Sequence, residues 1–278
     1  MTTKSSVFSK AVTAVAALFS VAAVIIRAVL MTAYNGVEGF YTDKSLQVVF
    51  NCLLTALAVI VFATAYIYIK EEKNPFSLPD SRSLHIVSMV ATCVFAGFIV
   101  YSLGKILIIR HASFSPASLL MTLFAVVALL YFVSYNAKIG EVRALLCSGS
   151  ALVLLALVFG LYFDMSVSYI NHSIVLCYAA AIFLMLATVA EANSYLGRPC
   201  LRRYLAFAPT AVVLSFALAI PDLIYAVANL SAPLTDIYYD VIILMLGVYH
   251  LVRLITIALT KPTAEEKEIK ENEKTSGN

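Results

Sequence analysis

Charge is what this sequence has least of. Asp, Glu, Lys and Arg make up 13% of its 278 residues, against about 25% in soluble domains, which leaves too little polar surface to coat a water-soluble fold of this length. No soluble domain of useful size fits between its apolar blocks. Tryptophan is absent, so an interfacial aromatic belt, usually made of Trp and Tyr, has only the 16 tyrosines to draw on. The cysteines Cys52, Cys93, Cys147, Cys177 and Cys200 fall one to a segment or loop with no CxxC pair. That dispersed set argues against a disulfide framework or a thiolate metal site, and the four in apolar segments read as small hydrophobes. There is no GxxxxGK[ST] phosphate loop, HExxH, GxSxG or paired Cys/His arrangement, so neither a resident nucleotide site nor hydrolysis by those arrangements is expected, and no cofactor is implied. A net charge of +3 gives no nucleic-acid footprint.

What the chain does have is hydrophobicity in long blocks: 62% of it is apolar. Eight segments stand out, Ala11 to Thr32, Leu46 to Ile69, Ile86 to Ile109, Ala117 to Val133, Leu145 to Phe163, Ser173 to Ala190, Leu205 to Ala228 and Ile237 to Leu259. Each is near the roughly 20 residues that cross about 30 Å of hydrocarbon as a helix, and all are too long for barrel strands of about 9–11 residues. Lipid offers no hydrogen bonds to an open backbone, so spanning segments of this length must be helical. The expectation is an all-α integral membrane protein, a single bundle of eight transmembrane helices over residues 1–260. The first segment follows Lys4 and Lys10 as a signal peptide would, but its apolar run exceeds a typical h-region, Arg27 interrupts it and no small-residue cleavage site follows. It reads as a retained span; its removal would leave seven.

Lys and Arg divide unevenly between alternate sides. The N-terminus (Lys4, Lys10), the second loop (Lys70, Lys73, Arg82), the fourth (Lys138, Arg143), the sixth (Arg198, Arg202, Arg203) and the C-terminal side (Arg253, Lys261, Lys267, Lys270, Lys274) hold 15 of the 19. Arg27, Lys44, Lys105 and Arg110 fall on the other side, which also holds Glu38, Asp43, Asp164, Asp222, Asp236 and Asp240 and is rich in tyrosine. By the positive-inside rule both termini are expected to be cytoplasmic, and the expected location is the plasma membrane. Residues 261–278, with five Glu and four Lys, cannot bury a core and are expected to be a charged, disordered cytoplasmic tail.

Four charges fall inside the outer portions of four different spans: Arg27, Lys105, Asp222 and Asp240. At 1.5 Å per residue, Arg27, Lys105 and Asp222 lie about 7, 6 and 9 Å below the outer ends of their spans, so they can meet in one layer. In the first span Ala16, Ser20, Ala23 and Arg27 recur at helical spacing, and in the seventh Ser215, Ala219, Asp222 and Asn229 do the same. Stripes of small residues let membrane helices approach closely, which turns both charges toward the bundle. Pro221 beside Asp222 marks a helix break, since proline lacks the donor for the carbonyl four residues earlier, that of Ala217. Broken spans are where transporters expose backbone to substrate. Structural ion pairing and snorkelling to headgroups are the competing account of these charges.

Two further constellations are weaker. Asp236 and Asp240 form a DxxxD pair that could face a divalent metal in an intramembrane transferase, though no second acidic cluster accompanies it, and no metal site is assigned. His250 and Arg253 could form a proton relay beside Glu191; the plainer expectation is a histidine bonded to a backbone carbonyl and an arginine reaching headgroups. The basic sixth loop, 196–203, suits anionic lipid or a soluble cytoplasmic partner. The reading that results is a non-enzymatic membrane protein that binds or moves a small solute or ion through an outward-facing site made of Asp222, Arg27, Lys105 and Asp240. Its competitor is a sensor or scaffold that signals to a cytoplasmic partner through the basic loops or tail. The charge asymmetry predicts that a C-terminal fusion reporter is active only when it folds on the cytoplasmic side; activity from a reporter that works only outside the membrane contradicts the orientation.

Overall fold

The computed structural model describes residues 3–33, 43–69, 78–108, 116–134, 140–163, 172–229 and 234–260. These form eight α-helices, and no strand occurs among the described residues: α1 (Thr3–Ala33), α2 (Lys44–Tyr68), α3 (Arg82–Ile108), α4 (Pro116–Val133), α5 (Gly140–Phe163), α6 (His172–Tyr195), α7 (Leu201–Asn229) and α8 (Leu234–Leu259). Each grows from one of the eight apolar segments. Seven are long and apolar enough to cross a membrane; α4 is shorter, its apolar part running from Leu119 to Val133. The tail from 261 onward, with Glu38, Asp164 and Arg110, lies outside the described residues.

Local chemistry sets several helix ends. Asp43 caps α2, its Oδ1 accepting from the backbone N–H of Ser45 at 2.9 Å and of Leu46 at 3.0 Å, which satisfies two donors that a helix N-terminus leaves open. At the end of α6, Gly197 takes a left-handed φ of +67°. Its N–H donates to the Ser194 carbonyl and that of Arg198 to the Asn193 carbonyl, both at 3.1 Å, the paired bonds of a Schellman ending. Pro199 follows, and α7 begins at Leu201. The basic sixth loop is thus a tight reversal. Cys200 within it is buried, which pushes its thiol up to about 12 and keeps it from acting as a nucleophile near neutral pH.

Helices α3, α4, α5, α6, α7 and α8 pack in that order, and α8 closes against α3. Helix α1 lies against α7 and α8, and α2 against α7 and α1. Helices α3 and α8 run antiparallel, since Ser81 at the start of α3 meets Thr256 near the end of α8 at 3.0 Å, whereas α1 and α7 run parallel, since Arg27 near the end of α1 meets Asp222 toward the end of α7. The end holding Arg82, Arg143, Arg198, Arg202 and Arg203 is called the basic end here, and the other the opposite end. Val48, Val59, Ile67, Met89 and Val100 are exposed on α2 and α3, a surface suited to lipid.

Close approach is bought with small residues. The α1 stripe expected from its spacing is buried throughout, with Ala16, Ser20, Ala23 and Arg27 all at 3% exposure or less. Gly149 of the Ser-Gly-Ser run lets α5 sit against α4: a Cβ there would lie 2.7 Å from Val127 Cγ1 and 2.8 Å from the Ala128 backbone nitrogen. Gly247 does the same between α8 and α7, where a Cβ would meet Ser215 Cβ at 2.7 Å. Because the Ala128 contact is backbone, it cannot rotate away. Gly149→Ala is therefore expected to destabilise the protein by about 1–3 kcal/mol through overpacking. Gly104→Ala, where nothing lies within 4 Å, should be neutral or stabilising by up to about 1 kcal/mol. Thermal melting of the two variants in one detergent checks the contrast.

Candidate functional site

At the opposite end Arg27 is completely buried, and its guanidinium is met by α7 and α6. Nη2 donates to both oxygens of Asp222, at 2.7 and 2.8 Å, and to Ser173 Oγ at 3.2 Å. Nη1 donates to the Ala217 carbonyl at 2.8 Å and also to that of Leu218. The Ala217 carbonyl is the one that Pro221 leaves without its helical donor. So α7 does not break at Pro221: it runs on to Asn229 with Pro221 inside it, and the arginine of α1 supplies the missing hydrogen bond. The expected helix break is corrected to a continuous helix with one carbonyl re-satisfied from outside, which is how membrane helices tolerate proline.

The four expected charges are not brought together equally. Arg27 and Asp222 form a two-point ion pair. Asp240, half-buried on α8, shares their neighbourhood, since Cys177 of α6 is within electrostatic reach of Asp240, Asp222 and Arg27 alike. Lys105 is exposed on α3, which packs on α4 and on α8, the helix that carries Asp240. Asn229 and Asp236 belong to α7 and α8, and their side chains lie outside the described residues. His172, the first residue of α6, was not among the expected site residues. It is buried beneath the edge of Phe50, with Nδ1 3.5 Å from Gln47 Nε2, and lies near Arg27. A groove of about 370 Å³ opens beside this cluster between α1 and α7, lined by Ala28, Met31, Thr32, Pro221, Ile224, Tyr225 and Ala228.

Near the basic end the structure contains a second, larger polar centre. Glu191 of α6 and Arg253 of α8 are both fully buried and paired. Glu191 Oε1 also accepts from the hydroxyls of Tyr131 (2.8 Å), Tyr195 (3.0 Å) and Tyr249 (2.6 Å), so α4, α6 and α8 converge on one carboxylate oxygen. Arg253 Nη2 donates in addition to Tyr249 Oη at 2.7 Å and Tyr195 Oη at 2.9 Å, while Nη1 reaches the Pro79 carbonyl at 3.2 Å and Asp80 Oδ1 at 3.3 Å. His250 places Nδ1 3.0 Å from Tyr204 Oη and Nε2 3.2 Å from Thr188 Oγ1.

The plain expectation for these residues is therefore corrected. Arg253 does not reach headgroups, and His250 bonds hydroxyls rather than a backbone carbonyl. The position of Glu191 beside Arg253 matches the relay geometry, but the hydrogen bonds of His250 run to Tyr204 and Thr188 and not to Glu191. Tyr131 and Tyr204 carried no sequence signal, because tyrosine in an apolar helix reads equally as packing or interface. The i,i+4 spacing of Glu191 with Tyr195 and of Tyr249 with Arg253 was the pattern that could have revealed two facing polar stripes.

Removing one partner of a buried ion pair strands the other charge and costs about 3–5 kcal/mol, whereas replacing both by apolar groups is often neutral. Arg253→Met and Glu191→Leu alone are thus expected to lower the melting temperature strongly, and the two combined to recover a substantial part of the loss. A double variant at least as unstable as the sum of the singles contradicts the pairing. Comparisons with protein-family models, curated proteins and solved structures return no match.

Proposed function

We propose that this helical bundle is an eight-crossing plasma-membrane protein, both termini cytoplasmic, that binds and moves a small solute through a site at the opposite end, which faces outward. The crossing count rests on α4, which lies alongside α3 and α5 and at 18 residues is about 27 Å long. Orientation rests on the Lys and Arg asymmetry.

One observation carries the reading: Arg27 is wholly buried, while the Asp222 side chain it grips keeps 20% exposure, beside the groove between α1 and α7. The pair therefore has an inaccessible cation and a reachable anion. A solute that presents an ammonium or another strong donor competes with Arg27 for the carboxylate, and the apolar groove walls at Met31 and Ile224 receive its carbon skeleton. Asp240 adds negative charge nearby, which favours a cationic group further. Binding that loosens the Arg27 contact also returns the Ala217 carbonyl to an unsatisfied state, so occupancy of the site is coupled to the strength of α7 at Pro221. Lys105 belongs to the rim of this reading rather than to its centre. The chemistry is binding and release, without a covalent step.

Thermal melting of the purified protein against a panel of amines, amino acids and inorganic cations tests this directly. A compound that raises the melting temperature of the wild type is expected to lose most of its effect in Asp222→Asn, and the same compound should show counterflow in proteoliposomes of the purified protein alone. An undiminished shift in a folded Asp222→Asn variant contradicts the assignment of the site.

A further inference from the structure

At the basic end a single half-exposed carboxylate holds two buried arginines from different helices. Asp80, in the segment before α3, accepts from Arg253 Nη1 with Oδ1 at 3.3 Å, and its Oδ2 lies 3.9 Å from Nη1 of Arg143 in the first turn of α5. Both arginine side chains are at most 10% exposed, and Asp80 is 50% exposed. The two guanidinium groups are seated against aromatic rings, Arg143 4.5 Å over that of Tyr195 and Arg253 5.5 Å from that of Tyr249. The two arginines are thus held from within the bundle, by tyrosines and by Glu191, and present Nη atoms toward a carboxylate that comes from outside it.

The lengths matter. Charge-assisted bonds between guanidinium and carboxylate close at about 2.7–2.9 Å when the geometry is free to optimise, as it does for Arg27 and Asp222. Asp80 bridges one oxygen to each arginine at distances well beyond that. This is the arrangement of a two-point anion seat occupied by a carboxylate whose own backbone holds it back: Leu78 is buried, the Pro79 carbonyl is bonded to Arg253, and Ser81 is bonded to Thr256. A ligand anion without that tether could approach both Nη groups more closely.

We propose that Arg143 and Arg253 form a receptor for one carboxylate or phosphate group entering at the basic end, and that Asp80 is the internal anion that fills this receptor in its absence. Exchange is local, because the Asp80 side chain is already half-exposed while Glu191 is held beneath it by three tyrosine hydroxyls. The site is independent of the reading given for Asp222 and stands or falls separately from it. A free organic or inorganic anion and an anionic lipid headgroup offer the same chemistry.

The test is thermal melting of the full chain in a neutral, lipid-free detergent, with sodium acetate, phosphate or chloride at matched ionic strength. Asp80→Ala should melt below the wild type in chloride and be restored by acetate or phosphate, while Asp80→Ala combined with Arg143→Gln should not be restored. The wild type should need a concentration of the same anion higher by tenfold or more, since the internal carboxylate competes. If acetate and phosphate fail but an anionic phospholipid added to the micelles restores Asp80→Ala and not the double variant, the receptor stands and its ligand is a headgroup. Restoration by none of these, equal restoration of the double variant, or a wild type that responds as readily as Asp80→Ala overturns the proposal. Should Asp80→Ala yield no folded protein, Asp80→Asn is measured in the same series with the same outcomes.

Discussion

A guanidinium buried among apolar helices must find its hydrogen bonds within the protein, and Arg27, whose Nη1 and Nη2 both donate to groups on other helices, is where this bundle meets that constraint most directly. Its acceptors come from two other helices, and one of them, the Ala217 carbonyl, is the one that Pro221 leaves without its helical donor. The proline and the arginine each have a cost alone, an unpaired carbonyl and an unpaired charge, and each offsets the other. The small residues of the α1 stripe follow from the same requirement, since the guanidinium reaches the α7 backbone only if the two helices touch.

The basic end obeys the same rule with different parts. Arg253 plays the role of Arg27 and Glu191 that of Asp222; Tyr195 and Tyr249 accept from Arg253 alongside the Pro79 carbonyl, and Tyr131, Tyr195 and Tyr249 donate to Glu191. Each end thus pins α6 to its neighbours through one arginine, by way of Ser173 at one end and Glu191 at the other. Each also leaves a carboxylate with some exposure, Asp222 or Asp80, against an arginine with none. The bundle is tied at both ends by contacts whose anionic half is reachable from outside the core, and that is the physical basis for reading it as a protein that exchanges ligands rather than as an inert span.

Much of this is legible in the sequence. Eight apolar runs became eight helices, the spacing of Ala16, Ser20, Ala23 and Arg27 placed the arginine on the packed face of α1, and the depth of Asp222 placed it level with Arg27. Depth, however, says nothing about which helices are neighbours: α3, which carries Lys105, packs on α4 and α8. Adjacency of α1 to α7 depends on how six other helices close around the bundle, which local periodicity does not encode. Tyr131 gave no sign for another reason: a hydroxyl on an aromatic ring changes hydropathy little, yet it is one of three that let a buried carboxylate be tolerated. Asp80 was missed because a loop aspartate carries no pattern at all.

The central claim is that Arg27 and Asp222 are energetically one unit. A double-mutant cycle of thermodynamic stability on Arg27→Met and Asp222→Leu measures it directly. The account predicts that the double variant is less destabilised than the sum of the singles, by about 2 kcal/mol, within the range seen for residues in one ion-pair network. Single effects that add to within about 0.5 kcal/mol, as they do for distant sites, would contradict it.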